Sequence, residues 1–425
     1  MVGAAVLLWL SIELGRWNMS RSWMAFGAVG LAVAVVLPAT SAAAATAKRS
    51  AWVQQAELTD GMPPDDNGHF GVWTAIQGDT AVVSAPDESG PHGGNAYVFD
   101  RGSAGHWAIK AVLRGSSGPS TSSFGQSVGL AGNTVVVGSW GAGCAFVFQR
   151  SAAGAWKQAA VLKPSDGVPG NSFGFSVAIS ASGTILVGDP GRDDWRGAVY
   201  AFAESDGVWR QTAELLPPDA KAGLSFGLSV GVDGSTAAVG APALGTGNGT
   251  QQPGEGFVYR QGTAGGWTEV AQLRIAGSRV GDLFGRAAAV TGRDVVMTAT
   301  GGNIETPGDG AAYVFVPTAS GYAQGTSLLS ARPDGFGYSV AALGPEILVG
   351  ANQQDKVRGA VYVFHASGSG GWPLQQVLTS SKQVVNGRFG QSVALDDSHL
   401  LIGADSVGNG TAYVFGQSTG SAAGQ

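Results

Sequence analysis

The chain has 425 residues, 44% of them hydrophobic and only 13% charged, with a formal net charge of −6. That balance excludes a disordered chain, and the lack of any basic block excludes nucleic acid as a partner. The single cysteine, Cys144, excludes an intramolecular disulfide framework and a cysteine metal cluster; within the apolar run Cys144–Phe148 it reads as buried filler.

Residues 1–47 stand apart. Met19–Trp23 is a short positive stretch, Met24–Leu37 an uncharged apolar run, and Ser41–Ala47 a run of small residues. This is the pattern of a secretory signal peptide, with Met19 as the expected start and an upstream mis-start before it. The competing reading is an uncleaved anchor from about Met24 to Ala47, long enough to cross a bilayer. The Ala-rich second half favours cleavage, so a secreted, periplasmic or cell-surface location is expected, with no membrane span in the mature chain.

From Trp52 onward short apolar runs follow one another. Phe173–Leu215 displays the unit: Ser176–Ile179, Thr184–Val187, Ala198–Phe202 and Trp209–Leu215, separated by Gly, Asp, Ser and Pro. Runs this short and bounded by such residues are strands, and four in succession make an up-and-down antiparallel sheet. Phe-Gly pairs begin at Phe70, Phe124, Phe173, Phe226, Phe284, Phe336 and Phe389. A Val-Gly-Ala-Pro-like marker follows each pair (Gly188-Asp-Pro190, Gly240-Ala-Pro242), and then an aromatic strand such as Ala96-Tyr-Val-Phe99 or Ala412-Tyr-Val-Phe415. The fourth marker is an aromatic with Leu six residues on. Six copies follow the Phe-Gly pairs, from Trp107…Leu113 to Trp372…Leu378, and the seventh, Trp52…Leu58, precedes them all.

The chain therefore opens with the last strand of its own last sheet. A linear stack would leave both ends incomplete, whereas a ring lets Trp52–Leu58 pair beside Tyr413–Phe415 and removes the exposed edges. The expected fold is all-β: a seven-bladed β-propeller of four-stranded antiparallel blades over residues 48–416, closed by the N-terminal strand, with a flexible tail at 417–425. The second and third strands, such as Thr134–Val137 and Ala360–Phe364, are apolar throughout, as strands covered on both faces are. The fourth alternates, with Trp209, Ala213 and Leu215 pointing one way and Arg210, Thr212 and Glu214 the other, as in an outer strand.

The markers Phe-Gly-x-Ser-Val, Val-Gly-Ala-Pro and Gly-x-x-Tyr-Val-Phe resemble the FG-GAP repeat, which builds the propeller of integrin α-subunits and of many secreted bacterial proteins. The resemblance covers residues 52–415 and implies extracellular adhesion or ligand binding. It also implies calcium loops between first and second strands. Here those connections are tight turns, among them Gln77–Thr80, Ala131–Asn133, Asp233–Ser235 and Asp396–His399. Calcium needs six to eight oxygens, so no metal or other cofactor is expected.

No catalytic constellation emerges. Gly125-Gln-Ser-Val-Gly129 and Gly227-Leu-Ser-Val-Gly231 match the nucleophile-elbow pattern, but Ser176, Ser339 and Ser392 share the same repeat position and no helix follows. These serines read as backbone-bonding residues at blade junctions. The histidines, His69, His92, His106, His365 and His399, fall at different repeat positions and read as solvated loop residues. The acidic turns Asp65–Asn67, Asp193-Asp194 and Gly308–Gly310 read as solvated turns.

In such blades the second-to-third loops and the blade-to-blade loops share one face. They vary in length and carry His92, Trp140, Arg192, Asp193, Asp194, Trp195, Arg196 and Glu305, the candidate ligand-binding residues. The expected function is a secreted, monomeric, non-enzymatic module binding an extracellular protein or glycan on this face. The alternatives are a polysaccharide lyase or hydrolase using Asp193, Asp194 and Glu305, and a structural envelope or matrix role.

Overall fold

The computed structural model describes residues 51–62, 68–86, 93–116, 123–166, 172–219, 221–244, 252–301, 310–332 and 335–418. The signal-peptide reading and the tail from 419 onward lie outside them. Among the described residues no helix is long and apolar enough to cross a membrane.

Seven four-stranded antiparallel sheets form the blades, spanning residues 74–113, 124–162, 176–215, 229–273, 288–329, 336–378 and 392–417. Each of the first six runs first to fourth strand in chain order. The seventh is completed by Trp52–Leu58, which pairs antiparallel with Thr411–Gln417 from Trp52↔Gln417 to Leu58↔Ala412. Gln417, expected in the tail, is thus a strand residue, and the Ser418 N–H donates to Ala51 O at 2.8 Å. Each first strand packs against the first strands of both neighbours, and Ser392–Leu395 packs against Thr74–Gln77, so the ring closes.

The core lies between blades. Seven clusters each join the apolar second and third strands of one blade to those of the next; the clusters on either side of the seventh blade hold Trp52 and Leu58 respectively. The Phe of every Phe-Gly pair is at most 1% exposed. It meets two aromatics of its own blade's third strand, as Phe173 meets Tyr200 at 5.4 Å and Phe202 at 6.2 Å. The Gly after it sits at φ between 89° and 99° in all seven copies, where a side chain is strained, and a Cβ on Gly71 would stand 2.8 Å from Thr411 O. Every third-to-fourth pairing carries a register break, such as the one that leaves Thr212 unpaired between Ala213 and Gln211. Bulges of this kind increase strand twist and suit the outer edge of a blade.

Candidate functional site

The five repeated serines act as junction residues. The Oγ of Ser127, Ser176, Ser229, Ser339 and Ser392 each donates to the carbonyl of the Phe-Gly glycine of the next blade, at 2.7–3.3 Å. The marker glycine opposite leaves the room: a Cβ on Gly188 or Gly403 would overlap both that carbonyl and the serine hydroxyl. Two blades lack the serine, having Trp73 and Ala287 there, and both carry a hydroxyl residue in place of the marker glycine. Ser84 Oγ then accepts from Trp73 N–H and Thr298 Oγ1 from Ala287 N–H, each at 3.1 Å. The hydroxyl has moved from one strand to the other.

The opposite face is latched as well. Asp396 Oδ2 accepts from Gly78 N–H at 2.7 Å, Gln77 Oε1 from Gly132 N–H at 2.6 Å, and Asp233 Oδ2 from Gly292 N–H at 2.6 Å. Five of these turns are closed by the pairs Gln77↔Thr80, Ala131↔Thr134, Asp233↔Thr236, Thr291↔Asp294 and Leu343↔Glu346. With two central residues each, and the carboxylates of Asp233 and Asp396 bonded to a neighbouring blade, these residues do not fit a calcium ion. No group of three or more His, Cys, Asp or Glu able to hold a metal occurs among the described residues. His365 and His399, expected in solvent, are buried strand residues; the His399 ring meets the edge of Trp107.

On the loop face the candidate residues separate into two groups. His92 and Glu305 lie outside the described residues. Trp140 opens a single 3-10 turn closed by Gly143 and is 40% exposed. Trp195 is 36% exposed. Arg192, by contrast, is engaged internally. Its Nη2 lies 2.9 Å from Asp166 Oδ2, its Nη1 pairs with Glu214 on the outer strand, and its guanidinium stands over the Tyr200 ring. Tyr200 in turn donates to Asp166 at 3.0 Å. Asp193 pairs with Arg196 at 2.7 Å, and Asp194 is exposed.

Asp193, Asp194 and Trp195 all have positive φ, 50°, 54° and 62°. Asp355, Lys356 and Val357 in the sixth blade repeat the shape at 49°, 59° and 62°. Left-handed backbone at non-glycine residues costs about 1–2 kcal/mol each, and hydrogen bonds to the next blade offset it. Asp194 O, Trp195 O and Arg196 O accept from Gly223, Ser225 and Phe226 N–H at 2.7–3.1 Å. Lys356 O, Val357 O and Arg358 O do the same for Asn386, Arg388 and Phe389 at 2.9–3.3 Å. The turn at 191–196 is therefore a clasp that holds Trp195 outward on a braced loop. Its backbone is shared with a second blade, and only its side chains set it apart.

Beside this clasp lies Asp189, with no exposed surface, at a position that is Ala in five other blades and Ser139 in one. Ser172 N–H donates to its Oδ1 at 3.1 Å, and its Oδ2 has no partner among the described residues. Burial pushes its carboxyl up to about 6, against the pull of nearby Arg192.

One group escaped the sequence reading. The residue two after each Phe lies within two residues of the start of a first strand, and the first strands ring the axis, so Val72, Gln126, Phe175, Leu228, Arg286, Tyr338 and Gln391 ring its mouth on the loop face. Members from consecutive blades touch. The Arg286 guanidinium lies 4.4 Å over the Tyr338 ring, and Gln391 Nε2 donates to Tyr338 Oη at 3.3 Å. Asn352 Nδ2 donates to Gln391 Oε1 at 2.8 Å. All but the buried Leu228 are half-buried.

Among solved structures the chain is similar to a protein from Lactobacillus plantarum, at 16% identity and a TM-score of 0.50, covering 73% of this chain and 85% of that one. It is also similar to a putative 6-phosphogluconolactonase from Bacteroides fragilis, at 12% identity and a TM-score of 0.48 with the same coverage. At such identity the likeness concerns the fold alone. No curated protein sequence matches. The FG-GAP repeat model matches residues 52–99, 156–202, 209–259, 330–364 and 372–415, together more than half of the chain. Four of these segments run from a fourth-strand aromatic to the next aromatic third strand, the same phase in which the chain closes its ring. The chain belongs to the FG-GAP repeat family.

Proposed function

We propose that this protein is a secreted, monomeric, non-catalytic binding module whose extracellular ligand, a protein or a glycan, seats on the loop face of the propeller. The observation that carries this reading is the pair of exposed tryptophans, Trp140 and Trp195, at 40% and 36%, on loops braced by backbone hydrogen bonds. A rigid loop presents an aromatic with little ordering cost, and tryptophans so placed are common contact hot spots. The repeated serines support the non-catalytic part, since five equivalent hydroxyls are committed to blade junctions.

The test is retention. The full secreted chain, immobilised, is exposed to an array of extracellular glycans and to surface-protein extracts, alongside Trp140→Ala and Trp195→Ala variants of unchanged melting temperature. Specific retention that falls at least about tenfold in either variant supports the reading. No retention, or turnover of a polysaccharide that depends on Asp193 and Asp194, overturns it in favour of a structural or an enzymatic role.

A further inference from the structure

We propose that the mouth of the axis on the loop face binds an acidic sugar, a uronate unit of a polysaccharide, with Arg286 receiving its carboxylate. This rests on the binding reading above and narrows it.

The ring of residues at this mouth has two unlike sides. Across blades five to seven, Arg286, Tyr338 and Gln391 form one connected polar arc, extended by Asn352. The Arg286 guanidinium lies over the Tyr338 ring yet has no carboxylate or hydrogen-bond acceptor among the described residues. A planar guanidinium without a carboxylate partner can offer two parallel N–H groups to one. Asn352 is 3% exposed, and its Oδ1 has no donor among the described residues.

The other side is aromatic. Trp140 follows Ser139, the register partner of Phe124, as Asn352 follows Ala351, the partner of Phe336. Asn352 reaches the ring residue of the next blade, Gln391; Trp140 holds the equivalent place in the second blade, where the next ring residue is Phe175. A pyranose ring has an apolar C–H face that suits an aromatic wall, and hydroxyls that both donate and accept. The amides of Gln391 and Gln126 also do both. One fixed cation, several amides and an aromatic wall fit one carboxylate on a polyol body. An acidic peptide side chain would use the cation and leave the rest unmatched.

The experiment is calorimetric titration of the full secreted chain, at fixed low salt, with three probes. These are a short polygalacturonate fragment, the same fragment with its carboxylates reduced to alcohols, and a glutamate-rich peptide. The acidic fragment should bind at least about tenfold more tightly than the reduced one. Arg286→Gln should erase that difference, Arg286→Lys should restore part of it, and Trp140→Ala should weaken both fragments. Equal affinity for the two fragments, or an Arg286→Gln variant that melts normally and keeps the preference, overturns the proposal. Binding of the peptide alone overturns it in favour of a protein ligand. If the loop face retains another ligand but no uronate, the sugar assignment falls while the binding reading stands; if it retains nothing, both fall.

Discussion

Asp189 offers the sharpest test of the energetics. It is fully buried, its Oδ2 unpartnered among the described residues, where other blades carry Ala or Ser. Burial raises its carboxyl from 3.8 to about 6. The folded protein therefore holds this proton over a range in which the unfolded chain has released it. The stability is fully present below about pH 4 and is lost as pH rises through about 6. A shift of about two units corresponds to ~3 kcal/mol. Asp189→Asn cannot ionise, and its carbonyl can still accept from Ser172 N–H. Whatever the amide itself gains or loses is independent of pH. The difference in stability between variant and parent should therefore move by ~3 kcal/mol in the variant's favour from about pH 3.5 to about pH 7.5. For a fold of roughly 370 residues the unfolding entropy is about 0.8 kcal/mol/K, so the change should read as ~4 °C in Tm. Calorimetry of both proteins across that range is the assay. A difference that stays flat with pH, or that grows in the parent's favour as pH rises, refutes the claim that Asp189 is buried at a net cost.

Two further outcomes follow from the ring. Removing residues 51–58 strips the seventh blade of its outer strand, including Trp52 and Leu58 at 5% and 2% exposure; the loss should exceed ~5 kcal/mol and promote edge pairing, checked by melting and light scattering, and an unchanged Tm would contradict closure. At the junction of the seventh and first blades, Gly403→Ala should cost more than ~3 kcal/mol, because its Cβ overlaps the Gly71 carbonyl, whereas Ser392→Ala, losing the bond to Gly71 O and the one accepted from Thr74 Oγ1, should cost ~2 kcal/mol; denaturant unfolding separates them, and the reverse order would show that the serine rather than the glycine sets the junction.

The architecture was legible because it repeats. Phase came from a single offset: one aromatic-to-Leu strand, Trp52–Leu58, ahead of the first Phe-Gly pair, and its pairing with Thr411–Gln417 follows directly. The serine role was legible for the same reason, since five equivalents rule out a lone nucleophile. The bulges were not. A strand that skips one pairing still alternates in burial, as Val208–Leu215 does, so hydrophobic period carries no trace of the skipped residue. Nor was the burial of His365 and His399: both end or begin strands, where the period is too short to separate a buried residue from a turn residue. The migrated hydroxyls, Ser84 and Thr298, were visible as departures from the glycine marker, but only the bonds to Trp73 and Ala287 explain why the two departures go together.

The site was harder, because on the loop face the residues that brace the fold and those that stand outward are of the same kinds. Arg192 and Trp195 are three apart and equally unusual in the repeat, yet one is tied to Asp166 and Glu214 while the other stands outward on the clasp. Composition cannot divide them, since a guanidinium that locks a blade and one that meets a ligand look alike until its carboxylates are located. The axial ring escaped for a different reason. Its residues sit inside the repeat, two after each Phe, where a search for unusual loops does not look. Position within the repeat could have found them. The neighbouring Phe, Gly and Ser are held nearly constant by the packing at the junction, while this one position runs through Val, Gln, Phe, Leu, Arg, Tyr and Gln. A site that a repeat leaves free at every copy, at the one place where all copies converge, is not constrained by the blade. It is the position at which the proposed ligand would make its contacts.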